Sequence, residues 1–264
     1  MSFPVTLVGT HGHMGAMFRA AWSGRHDVRE VNRERDASGR AFFRKDDLAA
    51  GIPHGDVVIL CIPAPAMPDA LDRIVPHMRE NQILADVCSV KIAPMRWMEE
   101  RFAGAVIGTH PLFGPENVGF GKTVALVRGK KALNADVERT ASLFREMGCA
   151  VFESSAEEHD GAVGITQSLH FVMAAAYFAV AATQPNLGPY ITPSFLRFQA
   201  AAESELTSSA SMFAEFTKTN PLFPGILTDF AERLQNLGAA ELSSLVAKAQ
   251  AWYSSPCPSE LKAP

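Results

Sequence analysis

The sequence lacks any closely spaced cysteine pair: Cys61, Cys88, Cys149 and Cys257 lie far apart and form no CxxC motif. That removes the usual thiolate metal site and the disulfide framework of a small secreted domain, and no metal is expected. Three of the four cysteines sit in apolar stretches, where a free thiol behaves as a small buried hydrophobe. Long apolar runs are missing too. No stretch of 18 consecutive apolar residues exists, and Met1 leads into a strand pattern without a basic segment, so neither a membrane span nor a leader is expected. A reduced, cytoplasmic protein is the expectation. Positive charge is also scarce: 24 Lys and Arg against 28 Asp and Glu give a formal net charge of −4. A phosphate backbone finds little to pair with, which excludes nucleic acid as a partner. Charged residues make up 20% of the chain and hydrophobic ones 47%, a globular composition over a length comfortable for two domains.

What is present changes texture near residue 156. Before it, short apolar runs alternate with amphipathic stretches. Strands are predicted over 5–8, 27–31, 56–62, 83–87, 105–108, 122–127 and 150–152, and helices over 16–23, 68–77, 95–101 and 135–147. The run 56–62 (DVVILCI) is nearly continuous, as a strand covered on both faces requires. Strands alternating with helices imply a parallel sheet, because parallel neighbours need crossover connections.

After 156, residues 159–183 read as one alanine-rich apolar helix, ended by a segment with three prolines and a glycine. Helices follow over 193–218, 224–237 and 241–252, with Leu227, Phe230, Leu234 and Leu237 on one face. The helix 159–183 is apolar almost all round and is expected to be buried on every side. A helical domain of about 100 residues hardly covers it alone, which implies a partner subunit. The expected architecture is α/β: a Rossmann-type doubly wound, mostly parallel sheet over 1–156, an all-α dimerisation domain over 157–253, and a flexible tail over 254–264.

The loop Gly9-Thr10-His11-Gly12-His13-Met14-Gly15 follows the first strand and opens the first helix. Glycines there let the backbone approach a pyrophosphate at a helix N-terminus, where free N–H groups and the helix dipole favour anions. The fingerprint G-x-G-x-x-G puts glycine at position 10, where Thr10 stands; Gly9 is expected to supply the tight turn. A plain strand–turn–helix loop has the same outline, but position at the head of a βαβ pattern favours a dinucleotide. About 20 residues further on, a carboxylate normally meets the ribose of NAD. Here the run is Asn32-Arg33-Glu34-Arg35. A neutral Asn followed by Arg suits the 2′-phosphate of NADP. The alternative is a solvated turn in which Glu34 serves NAD.

Two further blocks follow strands, where an open parallel sheet holds its ligand beyond the carboxyl ends. In Asp86-Val-Cys-Ser89-Val-Lys91, Ser89 is placed to reach nicotinamide or substrate, although a serine there is also an ordinary helix cap. In Gly108-Thr-His110-Pro-Leu-Phe-Gly114-Pro-Glu116, His110 is expected to have a pKa near neutrality and to accept a hydroxyl proton while hydride leaves the same carbon. A lone histidine is commonly structural, but this one sits in a loop held by Pro111 and Gly114.

On these blocks, together with Glu158-His159-Asp160 opening the long helix, the chain resembles the prephenate dehydrogenase family, including the dehydrogenase part of the bifunctional chorismate mutase/prephenate dehydrogenase. The resemblance runs from about Val5 to Trp252, and the motifs keep the family's order. It implies NAD(P)-linked oxidative decarboxylation of prephenate, a small cyclic carboxylate of tyrosine and aromatic amino acid biosynthesis. It also implies a homodimer formed through an intertwined helical domain. Carried over by motif, His110 matches the histidine that polarises the ring hydroxyl, Ser89 the serine bonded to the same region, and Glu116 an acidic residue lining the pocket. Cys61-Ile62-Pro63 matches the loop under the cofactor.

Two positions depart from the family. Where it often has a substrate-binding histidine stands Phe171, with His170 one residue early, about 100° away on an α-helix. Where it has an arginine for the ring carboxylate stands Glu215, which repels a carboxylate. Arg197 or Lys218 compensates if the helices are offset; otherwise the substrate is a prephenate analogue, amino-substituted or ring-reduced. A dinucleotide-binding regulator without turnover is a second class. A hydroxyacid-dehydrogenase type of reductase is a third, disfavoured because 159–183 contains no lysine.

Overall fold

The computed structural model describes residues 2–39, 41–114, 122–207 and 210–254. The chain divides after His159 into two compact units. The tail expected to be loosely ordered lies almost wholly outside the described residues.

In the first unit the chain runs β1 (Pro4–Val8), α1 (His13–Trp22), β2 (Asp27–Val31), β3 (Arg33–Arg35), β4 (Ala41–Phe43), α2 (Lys45–Gly51), β5 (Val57–Leu60), α3 (Met67–Ile74), β6 (Ile83–Asp86), α4 (Ile92–Arg101), β7 (Ala105–Pro111), β8 (Thr123–Arg128), α5 (Asn134–Arg145) and β9 (Ala150–Ser154). Seven strands form one sheet in the order β2-β1-β5-β6-β7-β8-β9. All neighbours are parallel except β7 and β8. The central strands are apolar throughout because both faces are covered: β5 and β6 are buried at every residue, Asp86 included. Strand order reverses between β1 and β5, which opens a crevice at their carboxyl ends. The structure is the Rossmann-like, mostly parallel sheet with helices that the alternation of elements predicts, followed by a helical C-terminal region.

Three local expectations need correction. Residues 33–51 hold a small hairpin, β3 with β4, and the helix α2, neither foreseen. Arg-Glu-Arg has no buried alternation and reads as a charged turn; pairing with Ala41–Phe43 makes it a strand. Strand β7 extends to Pro111, so His110 stands in the sheet opposite Ala125 and not in a loop beyond it.

The core on one face of the sheet is built around Trp22 and Phe18, which stack at 4.8 Å, with Phe144 edge-on to both. Trp22 is fully buried, and its indole Nε1–H donates to the Leu143 carbonyl at 2.9 Å, joining α1 to α5.

The second unit is all helix. Continuing from α6 (Ala156–Val163), it holds α7 (His170–Ala181), α8 (Pro193–Leu206), α9 (Ala210–Thr219), α10 (Phe223–Gln235) and α11 (Ala239–Ser254). Between α6 and α7, Gly164–Leu169 is a π-helical segment. Gly164 lets α10 approach: a Cβ there meets Ile226 Cδ1 at 2.4 Å. Buried Asn220 ties the start of α10 to α6, donating to the Asp160 carbonyl at 2.7 Å and accepting from Leu222 N–H. The helix expected over 193–218 is two helices, α8 and α9.

The long helix, Ala156–Ala181, is not buried on every side within this chain. Val180 is 68% exposed and Tyr177 46%, and Leu227, Leu234 and Leu237 of the predicted apolar face are also exposed. A unit of this size has too few side chains to cover them. By length and composition alone this helix also meets the requirement for crossing a membrane.

Trp22→Phe is expected to lower unfolding free energy by about 1 kcal/mol through the lost indole hydrogen bond. Trp22→Ala is expected to cost about 3–5 kcal/mol through the cavity. Denaturant titration of both variants checks the ratio.

Candidate functional site

At the switch point, Gly9 has φ +93, and its N–H donates to the Val31 carbonyl at 2.9 Å. A Cβ on Gly9 lies 2.6 Å from the Cys61 carbonyl oxygen, and one on Gly15 lies 2.5 Å from the Gly9 carbonyl oxygen. Both glycines are required by the protein's own packing, and Gly9 makes the tight turn. Gly12 is different: its nearest contact is an ordinary 3.6 Å. It is the N-cap of α1 and supplies no side-chain cap, and no acidic residue occupies the first turn. The first-turn N–H groups therefore have no side-chain acceptor at the cap and favour an anion. This cradle fits a dinucleotide pyrophosphate. The Cys61 carbonyl and Ile62, after β5, pack against Gly9; His11 lines the neighbouring cleft, whereas Met14 packs against the hydrophobic core.

Thr10 points back towards β2. Its hydroxyl donates to Glu30 and accepts from Asn32 Nδ2 at 2.8 Å, while Asn32 Oδ1 accepts from His11 N–H at 3.4 Å. Asn32 is thereby fixed against the loop. Beside it a cleft of about 260 Å³ is lined by Gly9, His11, Asn32, Arg33, Glu34, Arg35, Ala41, Phe43 and Ile62. The unforeseen hairpin builds its outer wall. Glu34 pairs with Arg44 at 3.6 Å.

Further along the same edge, β6 ends in Asp86. Lys91 is wholly buried; its Nζ donates to Asp86 Oδ2 and to the Thr109 carbonyl, both at 2.6 Å. The Thr109 hydroxyl donates to the Asp86 carbonyl at 2.6 Å, and Cys88 N–H to Asp86 Oδ2 at 2.8 Å. Asp86 Oδ1 has no hydrogen-bond partner among the described residues. These bonds clamp β6 to β7 one residue before His110. Asp86, Lys91 and Thr109 received no role from the sequence; the D-x-x-S-V-K block itself was the available signal. Ser89 is half-buried on the turn between them.

His110 is buried, and its Nδ1 lies 2.9 Å from Nε2 of His159. Its pKa lies well below 6.5, lowered first by burial, then by His159 and Lys91, so the expected value near neutrality is corrected. A neutral imidazole remains a proton acceptor. The thiols at the ends of β5 and β6 are inert: burial, reinforced by Asp86, pushes Cys61 up to about 12 and Cys88 well above its ordinary value.

The residues expected to bind substrate in the second unit lie on three helices. His170, on α7, is held by Glu205, with Nδ1 3.2 Å from Oε1. Phe171 stacks on Phe213 at 5.4 Å. Arg197, on α8, is exposed and donates to Ser194 Oγ at 3.1 Å; Glu215, on α9, is exposed. His170 and Phe171 both lie within α7, so the step of about 100° between them stands; the π segment before them shifts the phase of α7 relative to α6. Glu116 lies outside the described residues.

Sheet, switch point and glycine cradle define a Rossmann-type nucleotide-binding protein. A family model described as prephenate dehydrogenase, nucleotide-binding domain, matches residues 17–148, half of the chain. The chain belongs to the prephenate dehydrogenase family. It is 29% identical over 169 residues to the T-protein of Haemophilus influenzae, covering 63% of this chain and 42% of that one. It is 30% identical over 145 residues to the 4-amino-4-deoxyprephenate dehydrogenase of Streptomyces pristinaespiralis, covering 54% and 46%. The chain thus spans less than half the length of either relative. Its fold is shared with prephenate dehydrogenase from Aquifex aeolicus, solved with hydroxyphenyl propionate and NAD+, at a TM-score of 0.70 and 20% identity, covering 94% and 92%.

Because native His110 resists protonation, stability is expected to be fully present above pH 6.5 and to fall as pH drops from 6.5 toward the lower folded value. Thermal melts at pH 7 and pH 5 check this: the loss should be smaller in His110→Gln than in the parent.

Proposed function

We propose that the protein is a nicotinamide-dependent dehydrogenase catalysing oxidative decarboxylation of prephenate or a close cyclohexadienol analogue. The observation that carries this is His110, neutral and buried, at the carboxyl edge of the sheet that also bears the glycine cradle. Nicotinamide, when bound, supplies the hydride acceptor. His110 takes the ring hydroxyl proton as a general base, and Ser89 orients that hydroxyl. Loss of CO₂ with aromatisation makes the reaction effectively irreversible. Residues 1–156 bind the dinucleotide, and 157–253 serve the substrate and the dimer.

Arg33 in the cleft favours NADP, with Asn32 adding no negative charge; the carboxylate of Glu34, the residue available to NAD, is drawn off by Arg44. The exposed apolar residues of α7 and α10 support a homodimer in an aqueous compartment. Gln167, Ser168 and the His170–Glu205 pair interrupt the long helix with polar groups, which favours a second copy over lipid as its cover. A second reading, an amino-bearing analogue, is favoured by Glu215, since a carboxylate attracts a cationic substituent and repels an anionic one; the Streptomyces relative's name fits it.

The test is turnover with prephenate and with 4-amino-4-deoxyprephenate, each with NADP or NAD, followed at the reduced-nicotinamide band. Turnover with NADP is expected, and His110→Asn should cut the rate roughly 10²- to 10⁴-fold. Arg33→Ala should weaken NADP about tenfold while leaving NAD nearly unchanged. No turnover with either substrate would leave a dinucleotide-binding regulator.

A further inference from the structure

His110 needs a partner to act, and resting on the reading above, the geometry points to one. We infer that His159 is a positioning residue: its Nε2 accepts the Nδ1–H of His110 and so fixes the tautomer that leaves His110 Nε2 open to a proton.

Two ring nitrogens 2.9 Å apart share a single proton. With none, two lone pairs face each other; with two, donors collide. The ring planes are inclined at 66° with centroids 5.1 Å apart, so the rings are not stacked, and the short N···N distance marks a hydrogen bond. Both are at most 5% exposed, and water is poorly placed to substitute.

Two arrangements remain. If His159 donates, the His110 proton sits on Nε2, and the ring has no lone pair left for a substrate hydroxyl. If His159 accepts, that lone pair is free. When the hydroxyl proton arrives at Nε2, the new imidazolium strengthens its Nδ1–H bond to His159, which becomes charge-assisted. This is the orienting role of the acid in a Ser-His-Asp triad, filled by a neutral group.

Each partner is anchored. The Lys91 clamp on Thr109 precedes His110, and the His110 backbone pairs with β8. His159 lies in the first turn of α6, where its N–H donates to the Ser155 carbonyl and Ser155 Oγ accepts from Glu158 N–H at 3.0 Å. The neutral resting state of His110 agrees, since a carboxylate in place of His159 would raise its pKa.

Nitrogen-15 NMR of the imidazoles in the full chain, without substrate, distinguishes the tautomers directly. His110 is expected as Nδ1–H. In His159→Phe it should shift toward Nε2–H, the form free imidazole side chains prefer, and the rate should fall roughly 10²-fold or more. His159→Gln, whose amide oxygen can accept, should retain both the tautomer and most of the rate. Finding His110 as Nε2–H in the parent, or a tautomer and rate unmoved in His159→Phe, overturns the inference. The tautomer is read without turnover, so it stands or falls separately from the substrate assignment.

Discussion

An ammonium group with no exposed surface, held between a carboxylate and a carbonyl, fixes the edge on which the chemistry depends. Removing Lys91 and Asp86 from water costs several kcal/mol per ion, and their attraction offsets this when geometry and hydrogen bonds are good. Here Lys91 Nζ has two acceptors at 2.6 Å, and Asp86 Oδ2 also accepts from the Cys88 N–H. Such a pair contributes registry more than stability. It closes β6 onto β7 where Thr109 passes the chain to His110, and its charge adds to burial and His159 in holding that imidazole's pKa down. One interaction thus fixes the place of His110 and contributes to its charge state.

The glycine loop works by a different division of labour. Gly9 and Gly15 are dictated by contacts within the protein, so their presence does not by itself argue for a ligand. Gly12 is the informative one, because packing leaves its side open and the helix behind it carries no side-chain cap. Thr10, at the position of a fingerprint glycine, turns from the cradle to hold Glu30 and Asn32, coupling the glycine loop to the cleft beside Asn32.

Strands buried on both faces were legible in the sequence because burial writes itself as an unbroken apolar run, as at 56–62. The hairpin at Arg33 and Ala41 was not, since its residues pair without forming an apolar face. Strand β7 was cut short because His110-Pro111 resembles a turn, although Thr109 and His110 are buried by β8, a neighbour that only folding supplies. In the site, Gly9 and His110 stood out by type and place. Lys91 did not, because lysine usually belongs to water and its burial depends on a carboxylate five residues away and a carbonyl eighteen away. His159 showed only as part of a motif; its meaning lies in a contact across 49 residues. The π segment leaves no mark in composition at all, and it shifts the phase of everything after Gly164.

These differences fall unevenly, and that bears on how reaction and substrate are encoded. The groups to which the proposed reaction assigns the proton lie within the first unit: His110, His159 and the Lys91 clamp are all buried. In the second unit the positions at which the family resemblance implies substrate contact have other partners. Phe171 stacks on an aromatic ring, His170 is occupied by Glu205, and Glu215 carries the wrong sign for an anion. A buried network cannot lose one member cheaply, because the remaining polar groups are left unsatisfied. Exposed helical positions change at little cost to folding. On the proposed reading, substrate preference can therefore drift on the helices while the buried network of the sheet holds the type of reaction fixed.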